Sequence, residues 1–205
     1  MSWIDAVNAA HPWSHNDHYL PWVLRQVPPG ARRALDVGCG TGMLLRALGD
    51  IVPLADGIDR DERVAALAGA RVASLCDLPP VPAYDLVTAV AVVHHLPLVP
   101  ALERLRALVR PGGRLVVVGC YRASTAADHA VGLLAVPANL LVGLLHSPGP
   151  APDGMSAPVA PATNTLPQIR TAARSLLPGA QIHRRLFWRY TLTWTAPRQR
   201  GIAGG

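Results

Sequence analysis

The residues best suited to chemistry here are three aspartates, a run of glycines and a histidine pair. Asp36-Val37-Gly38-Cys39-Gly40-Thr41-Gly42 closes an apolar run that begins at Ala34. An acid, then Gly-x-Gly-x-Gly, then helix formers make a loop on which a ligand lies against bare backbone, beside a helix amino terminus. Asp59 follows Gly42 by seventeen residues and ends a second apolar run. A carboxylate there can accept both hydroxyls of a ribose; it can also cap a helix beginning at Asp61. Asp77 stands before Leu78 and Pro79-Pro80, where a turn acid would sit. His94-His95 follows a further apolar run. An imidazole at that place can take a proton from a hydroxyl or amine, or it can pack at a strand–helix junction.

Spacing restricts the ligand. The dinucleotide fingerprint Gly-x-Gly-x-x-Gly/Ala needs a small third residue for helix–strand packing, and counting from Gly38 that position is Met43. The third glycine arrives one residue early, at Gly42. A P-loop is excluded as well, because no Lys-Ser/Thr follows and all nineteen basic residues are arginine. A ligand without phosphates at the loop fits better.

As a set, five segments resemble the class I S-adenosylmethionine (SAM) dependent methyltransferases. Asp36–Gly42 looks like the family's first motif. Gly57-Ile58-Asp59-Arg60 resembles the end of its second strand, and Cys76-Asp77-Leu78-Pro79 the segment after its third. Tyr84–Ala91 resembles the fourth strand, and Leu108-Val109-Arg110-Pro111-Gly112-Gly113-Arg114-Leu115 the turn into the fifth. The resemblance spans roughly residues 32–120 and fixes fold and cofactor better than substrate. It implies that Asp36 lies near the methionine end of SAM, that Gly38, Gly40 and Gly42 give approach room, and that Asp59, with Arg60 beside it, binds the ribose. It further implies adenine contacts from Asp77 and the backbone of Leu78. Backbone at Ala91 would receive the cofactor's amino group.

At 205 residues, half of them hydrophobic and 16% charged, one domain with a full core is expected and disorder is not. The net charge of +6 is spread along the chain, not gathered as a nucleic-acid binder requires. Its densest run, Arg184, Arg185 and Arg189, reads as a solvated strand face and turn. Cys39, Cys76 and Cys120 form no Cys-x-x-Cys pair and read as reduced cysteines of a cytoplasmic protein. The amino terminus shows no basic-then-apolar signal pattern, and no stretch reaches the ~18 apolar residues of a membrane span.

Strand and helix signals alternate, which predicts parallel βαβ units. Strands are expected at Ala34–Val37, Leu54–Ile58, Val72–Leu75, Leu86–Ala91 and Leu115–Gly119, without polar alternation because both faces are covered. Helices are expected at Leu44–Leu48, Glu62–Ala68 and Leu102–Val109, the last with Glu103, Arg104 and Arg106 facing away from its apolar stripe. Trp188, Tyr190, Leu192 and Trp194 alternate with polar residues, which predicts a final strand with Gln181–Arg185 as its partner. Residues 31–120 are then a cofactor-binding core, 167–197 a closing helix and hairpin, and two regions lie outside that frame. Residues 1–30 read as an N-terminal lid, with His18 and Tyr19 as candidate contacts, or as a helix packed on the domain edge by Trp13, Tyr19 and Trp22. His11, His15 and His18 share a helical spacing that permits a metal, but Pro12 and the lack of a nearby cysteine argue for none. Residues 121–166 form an apolar insertion and loop. Its Val131–Leu145 segment would line a substrate pocket, pair subunits or join the core; membrane contact is the weakest reading, since a basic face is missing.

The expected architecture is a Rossmann-like, mostly parallel seven-stranded sheet with helices on both faces and an antiparallel C-terminal hairpin. The expected activity is methyl transfer from SAM to an oxygen, nitrogen or carbon of a small, hydrophobic molecule, with His94, His95, His18 and Tyr19 as candidate catalytic residues. An Asn-Pro-Pro-Tyr/Phe signature is absent after the fourth strand, which favours a small acceptor over nucleic acid. The alternatives are a SAM-binding module without transfer, and a cyclase or isomerase on the same fold.

Overall fold

The computed structural model describes residues 17–125, 128, 161–185 and 188–198. Seven strands make one sheet in the order β3-β2-β1-β4-β5-β7-β6. They are β1 (Arg33–Val37), β2 (Leu54–Asp59), β3 (Arg71–Val72), β4 (Tyr84–Val90), β5 (Val109–Cys120), β6 (Gln181–Arg185) and β7 (Arg189–Thr195). The first five are parallel, while β7 is antiparallel to both β5 and β6. The helices are α1 (Leu20–Leu24), α2 (Met43–Gly49), α3 (Glu62–Ala68), α4 (Leu98–Leu108) and α5 (Leu166–Leu176).

Both faces of the sheet are covered, which is why its central strands read as continuous apolar runs. One core contains Leu35, Val87, Leu115 and Val117 with Leu102, Leu105 and Ile169 of α4 and α5. The other gathers Ala34, Leu86, Val116 and Val118 under Val23 of α1 and Leu44 and Leu48 of α2. Burying a side chain of Leu size contributes about 1.5–3 kcal/mol, so these two layers hold the sheet edge rigid.

Four local expectations are corrected. The third strand is only Arg71–Val72, and Leu75 instead opens a 3-10 turn, Leu75–Asp77. The Ser74 hydroxyl and the Asp77 carboxylate cap that turn reciprocally, which ends the extended backbone. The helix expected from Leu102 begins at Leu98, with Pro100 in its first turn, where a missing N–H costs nothing. Val109 belongs to β5, not to that helix. Trp188 precedes β7 and sits in the left-handed region at φ 54°. Glu62–Ala68 and Gln181–Arg185 have the expected bounds.

Candidate functional site

The glycine loop leaves β1 and enters α2 with Gly38, Gly40 and Gly42 at φ 65°, 55° and 82°. The three do different work. A Cβ on Gly38 would meet Val92 Cγ2 at 2.3 Å, and one on Gly42 would meet Ala68 Cβ at 2.8 Å. Those two let the loop press against neighbouring elements. A Cβ on Gly40 would meet nothing within 4 Å. Gly40 therefore faces an open cradle, and its absent side chain is not needed for packing. The loop is pinned by Cys39 N–H donating to the Ile58 carbonyl at 3.0 Å and by Gly40 N–H donating to Asp59 Oδ2 at 3.0 Å.

Asp36 is buried beneath this loop, and the hydroxyl of Thr88, its register partner on β4, donates to its Oδ1 at 2.7 Å. Burial pushes the Asp36 carboxyl up to about 7; the Thr88 bond opposes that and the Asp59 charge adds to it. Asp59 ends β2, and its Oδ1 accepts from Asp61 N–H at 3.0 Å while Oδ2 serves Gly40. The cap of α3 is Asp61, which accepts from Arg63 and Val64 N–H at 2.9 and 3.4 Å, so the capping reading of Asp59 is corrected. Arg60 is exposed beside it.

Asp77 acts as a turn acid: its Oδ2 accepts from Ser74 N–H at 2.7 Å. Leu78 is buried. The segment around them is held by a residue that sequence reasoning missed. Arg104 donates from its two terminal nitrogens to the Leu78 carbonyl at 3.3 Å and the Cys76 carbonyl at 3.1 Å. It lies on α4 as expected but reaches across to the 76–78 segment, while Glu103 and Arg106 are exposed. No spacing rule signals such a contact, because the 76–78 segment lies far from it in sequence.

Ala91 follows β4 at φ 57°, a conformation that strains a residue with a Cβ, and its N–H donates to the Val118 carbonyl at 2.7 Å. The 3-10 turn Val93–His95 comes next. The His94 and His95 rings lie 4.0 Å apart, centre to centre. Burial, then the charges of His95 and Arg189, push His94 down to about 4, and its buried Nδ1 has no hydrogen-bond partner among the described residues. Burial, then Arg60, lowers His95 as well. Both imidazoles are neutral near pH 7.

Tyr19 belongs to the core under α2 and is only 5% exposed. Burial raises its hydroxyl to about 12, against the charges of Arg189 and Arg185. His18 is exposed and meets the Tyr19 ring edge-on at 5.1 Å. Trp22 packs on the same core, so edge packing holds for this helix. Trp13, His11, His15 and Val131–Leu145 lie outside the described residues; among those described, no cluster could hold a metal ion.

The arginines of the hairpin are not a solvated face. Arg184, Arg185 and Arg189 are half-buried, and the pairing of Cys120 with Arg189 and of Arg189 with Arg185 puts them at the carboxyl edge of the parallel strands. Arg184 pairs at 2.9 Å with the fully buried Asp128. Arg189 donates to the Cys120 sulfur. Asp36, the glycine loop, Asp59, Ala91 and His94 all lie along that same edge, where a doubly wound sheet binds its ligands. An open groove of about 500 Å³ lined by Pro80, Arg106, Leu176 and Trp194 lies at the opposite edge and touches none of them.

A family model described as a methyltransferase domain matches residues 11–141. An uncharacterized methyltransferase of Mycobacterium bovis is 34% identical over 209 residues, covering 91% of this chain and 98% of the relative. A ubiquinone biosynthesis O-methyltransferase of Xylella fastidiosa is 31% identical over 118 residues, 48% of this chain and 46% of that one. Among solved structures, the magnesium protoporphyrin IX methyltransferase of Synechocystis with bound S-adenosylhomocysteine has a TM-score of 0.59 at 18% identity, covering 96% of this chain and 88% of the other. The N-methyltransferase NodS of Bradyrhizobium japonicum, with the same ligand, gives 0.57 at 14% identity, with 89% and 87% covered.

Proposed function

Because the chain belongs to the class I SAM-dependent methyltransferases, we propose that its acceptor is a small, largely hydrophobic molecule methylated on oxygen, nitrogen or carbon. The observation that carries cofactor placement is the open cradle over Gly40, whose N–H is tied to the Asp59 carboxylate. A backbone surface without a side chain, beside an acid with spare acceptor capacity, fits a nucleoside.

SAM, when bound, supplies a methyl group on a sulfonium that is already a good electrophile, so the protein chiefly aligns and desolvates the reactants. Each Asp59 oxygen has one lone pair engaged and one for a ribose hydroxyl. Asp77, whose Oδ1 accepts no hydrogen bond among the described residues, faces the adenine with the Leu78 backbone. Asp36 serves the methionine end through water, and the Ala91 backbone receives the amino group. His94 and His95, being neutral, accept hydrogen bonds from the acceptor. A base as weak as His94 does not ionise an alcohol, so the released proton passes on to solvent.

We also read the protein as cytoplasmic, since Cys39, Cys76 and Cys120 are all free. Among the described residues, no helix is long and apolar enough to cross a membrane. The test is calorimetric titration with SAM, followed by incubation with methyl-labelled SAM and fractionated small-molecule extract. Label in a small, largely hydrophobic product is the expected result. SAM binding without any labelled product makes the chain a binding module, and label in nucleic acid overturns the acceptor class.

A further inference from the structure

We propose that the acceptor carries an anionic group, a carboxylate or a phosphate, and that Arg185 anchors it at the carboxyl edge of the sheet. This rests on the methyltransferase reading of that edge.

Arg185 and Arg189 are register partners on β6 and β7, so they project from the same face of the sheet. That face is the one α1 covers. The Arg185 guanidinium lies 5.8 Å from the centre of the Trp22 ring, and its Nε donates to the Thr191 hydroxyl at 3.1 Å. Both partners are neutral. Arg185 and Arg189 act together on the buried Tyr19 hydroxyl, and Arg189 also acts on His94. The register from Arg185 to Arg189 to Cys120, with Ala91 N–H bonded to the Val118 carbonyl on the same strand, sets Arg185 along the sheet edge from the turn after β4.

The neighbouring Arg184 shows the contrast. It pairs with Tyr190 in register and so projects from the opposite face, onto Asp128. Asp128 is spent there, because its Oδ2 also takes Ser124 and Thr125 N–H at 2.9 and 2.8 Å. Among the described residues, carboxylates pair with Arg33, Arg63, Arg110 and Arg184, and none pairs with Arg185. A guanidinium fixed by its Nε and by an aromatic ring keeps its two terminal nitrogens for a planar, bidentate anion. Trp22 alongside offers apolar surface for the rest of the molecule. The anion is an anchor and not the methylated atom, since pairing with guanidinium withdraws charge from its oxygens. The acceptor is then amphipathic, with an acid at one end and the reactive atom toward His94.

The test uses octanoate, octyl phosphate and octanol as probes, titrated by calorimetry into protein loaded with S-adenosylhomocysteine. At least one acid should bind at least about tenfold tighter than octanol, and the tighter acid identifies the anion. Arg185→Gln should erase the preference and Arg185→Lys should keep part of it, with S-adenosylhomocysteine affinity the same in all three proteins. Equal binding of the three probes, or of none, to the unmodified protein overturns the proposal, as does a preference that survives Arg185→Gln. The comparison on the unmodified protein stands even where a variant misfolds. Failure of S-adenosylhomocysteine to bind, read in its own titration, counts against the methyltransferase site instead.

Discussion

Gly40 is the residue at which packing and binding separate. Because its Cβ direction is open, Gly40→Val should leave the fold intact apart from the strain of a left-handed valine, about 2 kcal/mol. It should abolish SAM binding in a calorimetric titration, and unchanged affinity in a folded variant would sink the cradle. The two acids at the turn from β2 into α3 separate the same way. Asp59→Ala should weaken SAM by ~1–3 kcal/mol, as expected for a charge-assisted hydrogen bond. Asp61→Ala should lower the melting temperature slightly by loss of the α3 cap and leave affinity alone. Asp36 makes a prediction in pH. Its carboxyl titrates at about 7 when folded, against an ordinary value of 3.8. Between those values the folded chain holds the extra proton, so stability falls as pH rises through the window and the loss is complete above it. Asp36→Asn keeps an acceptor for Thr88 and removes the buried charge. Denaturant unfolding should show it more stable than the unmodified protein at pH 8, by about 4 kcal/mol, with the difference nearly gone at pH 4. Equal stability at both values would mean that Asp36 is not desolvated.

At the scale of elements, α4 does more than cover the sheet. Its Arg104 ties down the carbonyls of Cys76 and Leu78, so it shapes the segment we propose to face the adenine. Arg104→Met should lower SAM affinity about tenfold while leaving affinity for free methionine, which lacks the adenine, unchanged. Equal losses for both would assign Arg104 to general stability. This contact also marks how far sequence reading reaches. The acid-and-glycine loop, Asp59 and the bounds of α3 and β6 were legible, because local conformation and apolar runs dictate them. The two-residue β3 was not, since the capped turn at Ser74–Asp77 overrides the strand preference of the preceding residues. The helical stripe correctly buried Leu102 and Leu105 but turned Arg104 toward solvent. Periodicity gives the direction a residue leaves its helix, not the reach of a long side chain. The hairpin arginines failed for a further reason. Their place at the carboxyl edge follows from β7 running antiparallel to β5, a long-range pairing that composition cannot express.

Across the whole molecule, Tyr19 and Trp22 join one of the two cores to the arginines of the carboxyl edge. The lid reading treats residues 1–30 as one unit that excludes water around the sulfonium and the acceptor. Tyr19 divides that unit, because it is a core side chain packed with Val23 and Leu48 and at the same time lies within the field of Arg185 and Arg189. Removing residues 1–20 therefore mixes two effects. Loss of a buried aromatic costs roughly 3 kcal/mol by itself, enough to lower the melting temperature by several degrees. Removing residues 1–16, which lie outside the described residues, spares Tyr19 and tests the lid reading alone. The shorter truncation should melt with the full chain and bind S-adenosylhomocysteine normally, yet turn over at least about tenfold more slowly, because water then reaches the reacting atoms. Its melting temperature should exceed that of the longer truncation. If the 1–16 truncation methylates its acceptor at the full rate, these residues do not close over the site. Water exclusion then falls to the elements of the carboxyl edge itself, with Tyr19 and Trp22 as its apolar wall.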